Sequence, residues 1–107
     1  MLQRFRTAFL RENLVLLVLS TLKDHDRTEW EILDGLHSRY GFTPTVRDFR
    51  RTVNLLMNGG FATAEPSQNG GAMTITEGGL RLLQRLEAEY RDILLRANPW
   101  PDSVLTG

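Results

Sequence analysis

The sequence predicts a mostly α domain that carries one small β-hairpin and ends in a long helix. Apolar residues recur at helical spacing in several segments, two short alternating runs flank an Asn-Gly turn, and glycine pairs mark the changes between patterns. With 107 residues the chain has the size of one domain built around a single core.

Residues 8–22 form the first expected helix. Leu10, Leu14, Leu17 or Val18, and Leu22 recur at helical spacing, and Leu16 and Leu19 widen the face until the helix is nearly all buried. Lys23-Asp24-His25-Asp26 ends it. Thr28-Glu29-Trp30-Glu31 then opens a second helix as a capping box, a hydroxyl at the cap and a carboxylate three residues on. Trp30, Leu33, Leu36 and Tyr40 supply its expected inner face, with Trp30 in the core, and Gly41 supplies its stop.

The third helix is expected over residues 43–58. Thr43 followed by Pro44 fits a cap and a first-turn proline, and Thr45 is an equally good cap. Val46, Phe49, Val53, Leu56 and Met57 hold one face, and Arg47, Arg50, Arg51 and Asn54 fall largely on the other. Gly59-Gly60 terminates this helix. Residues 61–65 and 72–76 alternate like strands, and Asn69-Gly70 between them tolerates the positive φ angles of a primed hairpin turn. Thr76 caps the last helix, expected over residues 77–96, with Leu82, Leu83, Leu86, Tyr90, Ile93 and Leu94 at helical spacing. Pro99 and Pro101 end regular structure. Residues 1–97 are therefore one domain, with an N-terminal arm and a C-terminal dimerisation helix, and 98–107 a tail.

Composition narrows the function. The chain is 41% hydrophobic and 24% charged, an ordinary globular balance, and it has no cysteine, which rules out disulfides and thiolate metal sites. The longest apolar run, Leu14 to Leu19, is far short of the roughly 20 residues that span a bilayer, so no membrane partner is expected and the expected location is cytoplasmic. Net charge is zero, from 13 basic and 13 acidic residues, which speaks against coating nucleic acid through bulk charge. Basic residues cluster in two places instead: Arg4, Arg6 and Arg11 near the start, and Arg47, Arg50 and Arg51 in the third helix. Asp24-His25-Asp26 and His37 lack the ligand number a metal needs. No nucleophile with its base and no phosphate-binding loop is present, so neither an enzyme nor a cofactor is expected.

Three helices with an attached hairpin is the plan of a winged helix-turn-helix, in which the third helix is presented to a DNA major groove and the hairpin is the wing. Ile75-Thr-Glu-Gly-Gly79 resembles the apolar-Thr-x-x-Gly passage from wing to helix in PadR-type and MarR-type transcriptional regulators. Thr28-Glu-Trp-Glu-Ile-Leu33 resembles the opening of helix two in PadR-type proteins. Val53, Leu56, Gly60 and Phe61 match the end of their recognition helix. The resemblance covers roughly residues 12–96. It implies a dimeric DNA-binding regulator, joined through its first and last helices, with double-stranded DNA as partner and a small-molecule effector left open.

On that reading Arg47, Arg50 and Arg51 are the expected groove or phosphate contacts, since guanidinium forks pair bidentately with guanine edges. Thr43 and Thr45 offer the helix N-terminus to a phosphate, and Thr52 and Asn54 are further contact candidates. Arg4, Arg6, Phe5 and Phe9 form either an arm toward DNA or packing on the last helix. The wing carries one charge, Glu65, where a DNA-gripping wing carries Arg or Lys. That feature, the zero net charge and the acidic second helix support an alternative: a winged helix serving as a protein–protein adaptor without direct DNA binding.

Overall fold

The first helix is the hub of the molecule because nearly every position on it is apolar. In this computed structural model, which describes residues 10–65 and 71–97 with side chains to Arg91, α1 (Leu14–Leu22) buries Leu14, Leu17, Val18, Leu19 and Leu22. It packs against α2 (Glu29–Tyr40), α3 (Val46–Asn58), α4 (Glu77–Ala97) and strand β2 (Met73–Ile75). Ile32, Leu36, Phe49, Val53, Leu56, Ala62, Met73 and Leu83 complete the core around it.

The first helix is interrupted within its expected span. Leu10 to Glu12 are helical, but Asn13 is a turn residue with φ −111° at the N-cap position of α1. Its carbonyl accepts from the Leu17 amide at 3.1 Å, so α1 starts from the backbone of Asn13 and not from a side-chain cap. Residues 8 and 9, with Phe5 and the first arginines, lie outside the described residues, as do the Asn69-Gly70 turn and residues 98–107.

The capping signals hold. Thr28 Oγ1 accepts from the Glu31 amide at 3.2 Å and Glu31 Oε1 accepts from the Thr28 amide at 2.9 Å. Gly41 closes α2 in the left-handed region, φ 62°, its amide donating to the His37 carbonyl. The inner face of α2 differs from expectation, however. Ile32 and Leu36 are buried, whereas Trp30 is 82% exposed. Trp30 lies two residues before Ile32, about 200° around the helix, so burying Ile32 and Leu36 turns Trp30 to the opposite side.

At the start of α3 the structure chooses between the two threonines. Thr45 is the cap, accepting from the Asp48 amide at 3.1 Å, and Pro44 is a buried residue just ahead of it. The helix ends in a Schellman motif: the Phe61 amide donates to Leu56 O and the Gly60 amide to Met57 O, with Gly60 at φ 76°. Only glycine takes that conformation without cost.

Strands β1 (Ala62–Ala64) and β2 pair antiparallel, with Thr63 opposite Thr74. An isolated hairpin is marginal in water; here it packs on α1, α3 and α4, and one further residue extends it. Arg27 exchanges both backbone hydrogen bonds with Met73, at 3.2 Å and 2.8 Å, as a one-residue third strand. Its Nε donates to the Thr21 carbonyl at the end of α1. No sequence pattern marks Arg27, because one residue has no period.

Candidate nucleic-acid interface

α3 is positioned by the face it buries. Phe49, Thr52, Val53 and Leu56 turn inward, which leaves Arg47, Arg51, Asn54 and Asn58 as the outermost stripe at spacings of three and four residues. All four are exposed. Asn58, which follows Asn54 by one turn, joins the expected set; extending the same four-residue step would have found it.

Thr52 does not belong to this surface. It is 8% exposed, and its hydroxyl donates to the Asp48 carbonyl one turn back at 2.9 Å. Val46 and Met57 also depart from expectation, lying 78% and 41% exposed instead of in the core. Both sit about a quarter turn or more from the centre of the buried face, and α1 is too narrow to cover a wider arc.

The charges on α3 divide into paired and unpaired. Asp48 Oδ2 accepts from Arg11 Nε at 3.2 Å. Arg50 Nη1 lies 3.6 Å from Glu29 Oε1 in the first turn of α2. Arg47 and Arg51 form neither an ion pair nor a hydrogen bond with any described residue. Arg51 borders an open cleft with Arg11, Glu12, Leu14, Asp48 and Thr52. The outward stripe therefore carries two uncompensated guanidinium groups about one helical turn apart.

The two threonines are already engaged within the chain. Thr45 caps α3, and Thr43 Oγ1 lies 3.3 Å from His37 Nδ1 at the end of α2. His25 Nδ1 donates to the Asp26 carbonyl at 2.9 Å. Arg4 and Arg6 lie outside the described residues.

The hairpin stands beside α3 because the passage out of the wing is tied to the passage into it. Thr76 Oγ1 donates to the Gly60 carbonyl at 2.6 Å and accepts from the Gly79 amide at 3.0 Å, so one hydroxyl links the end of α3 to the start of α4. The Thr76 amide donates to Phe61 O at 3.1 Å. The third helix, a tethered two-stranded ribbon and a supporting α1–α2 pair are thus fixed in one arrangement.

Solved structures share it. A transcriptional regulator from Clostridium thermocellum superposes with a TM-score of 0.76 at 14% identity, over 87% of this chain and 97% of its own. The fold is a winged helix. A PadR family transcription regulator from hypervirulent Clostridium difficile gives 0.69 at 18% identity, over 80% and 95% of the two chains. A winged-helix DNA-binding protein from STIV gives 0.68 at 13% identity, over 78% and 92%. No protein-family model matches the chain, and no curated protein matches its sequence. No described helix of this winged helix is long and apolar enough to cross a membrane.

Proposed function

We propose that this winged helix is a DNA-binding transcriptional regulator of the PadR-like kind, with α3 as recognition helix. One observation carries the reading: Arg47 and Arg51 stand exposed on the outermost stripe of α3, without a partner among the described residues, with Asn54 next along the stripe and the wing alongside. Two free guanidinium groups pay no cost in broken ion pairs when they meet phosphates or guanine edges. Asn54 and Asn58 bring amide groups that pair with adenine. Thr45, at the N-terminus of α3, sits where backbone amides face an anion, and Thr43 is close beside it.

The protein acts as a dimer on a two-fold site. α1 and α4 pack against each other within one chain, so their mutual faces are already used. The dimer surface then draws on what they leave outside, including Leu80, which is 36% exposed, and the partly buried Val15 and Leu16. Light scattering that gives a monomer at tens of micromolar protein would count against this.

Retention on heparin or random duplex DNA at low salt, fading as salt rises, tests the main reading. The adaptor alternative has its own support in Trp30, exposed on a helix whose first turn carries Glu29 and Glu31. An adaptor would pass through heparin unretained.

A further inference from the structure

The large apolar side chains exposed among the described residues are five: Trp30, Val46, Leu55, Met57 and Leu80. Three of them belong to α3. Val46 is 78% and Leu55 50% exposed, on a helix whose inward face is already complete with Phe49, Val53 and Leu56. They are not misplaced core residues, because α3 has no second hydrophobic face for them to join.

Their neighbours narrow what covers them. Val46 is the first residue of α3 and directly precedes Arg47, while Leu55 follows Arg51 by four residues and so lies beside it on the surface. The apolar pair therefore flanks two guanidinium groups that have no partner in the described chain. An occupant that satisfies this surface must be strongly anionic and must also offer small apolar groups at its edge. Duplex DNA meets both needs: its backbone supplies the charge, and the thymine C5-methyl is the apolar group that base edges present in the major groove.

We infer that Val46 and Leu55 are sequence-reading residues that contact thymine methyl groups on either side of the bases or phosphates met by Arg47 and Arg51. The inference rests on duplex DNA being the partner. Val46, in the first turn, has the more favourable place, since the N-terminal residues of a recognition helix reach base edges. Reading by methyl contact suits a chain of zero net charge, because it adds discrimination without adding charge.

The test uses the full chain and a duplex selected by it from a random pool. Thymines in that duplex are replaced one at a time by deoxyuridine, which removes only the methyl group. At one position the replacement weakens binding of the unaltered protein about fourfold, the effect of exposing one methyl-sized group, and leaves Val46→Ala binding unchanged. At another position Leu55→Ala is the insensitive variant. Both side chains are exposed, so the variants keep the thermal melt of the parent, and both keep its salt dependence. If no uracil replacement weakens binding, or if both variants respond as the parent does, the inference is overturned while DNA binding stands. If the variants lose self-association and keep full duplex affinity, the two residues belong to a protein contact and the inference also fails. A chain that retains no duplex at low salt removes the DNA reading itself.

Discussion

Arg50 and Glu29 form an ion pair, Nη1 to Oε1 at 3.6 Å, that ties the middle of α3 to the first turn of α2. The pair crosses the helix-turn-helix at its open side and takes one of the three arginines of α3 out of the free cationic surface. Its side chains are 65% and 37% exposed, so water screens it and its contribution to stability is about 0–1 kcal/mol. It sets Arg50 apart from Arg47 and Arg51, which stand on the same helix with no partner among the described residues.

Replacing Arg47 and Arg51 together by Ala weakens binding to duplex DNA by an order of magnitude or more. Each single replacement lowers the slope of log affinity against log salt by about one. Titration of a labelled duplex over a range of salt measures both, and an unchanged affinity removes the assignment.

Arg50→Ala has a smaller effect on that slope than Arg47→Ala, because its charge is already compensated by Glu29. Glu29→Gln works in the opposite direction: it frees Arg50 and removes an anion, so the slope steepens and low-salt affinity rises. The same titration reads both variants. A Glu29→Gln protein that binds more weakly would show that the ion pair sets the pose of α3.

Removing the Thr76 hydroxyl unpairs two backbone groups at once. Thr76→Val leaves the Gly60 carbonyl and the Gly79 amide without their partner, and the expected loss is about 1–3 kcal/mol in urea unfolding. Gly60→Ala, at φ 76°, loses about 1–2 kcal/mol through left-handed strain. Gly79→Ala places a Cβ 2.1 Å from the Phe61 carbonyl oxygen, which forces α4 away from the hairpin. An unchanged melt for Gly79→Ala would show that α4 and the hairpin can part at this point without cost.

Stability falls in acid partly through Glu31. The Thr28 amide, then the Thr28 hydroxyl, hold its carboxyl below the usual carboxylate range. A lowered folded-state value means that the stabilisation is present above the ordinary carboxylate range and is lost as pH falls through the folded value. Glu31→Gln, which caps without titrating, flattens this dependence, and urea unfolding at neutral and acid pH compares the two proteins. Thr28→Ala removes the other half of the box at about 0.5–2 kcal/mol, and because it also takes away the hydroxyl that helps hold the Glu31 carboxyl down, it weakens the same acid dependence.

The sequence by itself determined the element order, the capping box at Thr28, the cap at Thr76 and the glycine stops. Each of these is a local matter, settled by a hydroxyl three residues from an amide or by a φ angle that only glycine takes freely. It also placed Arg47, Arg51 and Asn54 on one stripe, because helical spacing alone fixes which residues share a face. Only the tertiary structure decided how wide each buried face is. Val46 and Met57 fell outside the arc that α1 covers, Thr52 fell inside it, and Trp30 was turned outward because Ile32 and Leu36 took the buried face of α2. Ion pairing was equally hidden: Glu29 and Arg50 are distant in sequence, and Arg27 bridges to Met73 of the hairpin from the turn between α1 and α2. Period and capping are written within a few consecutive residues, whereas the extent of a core and the partner of a charge depend on which segments the fold brings together.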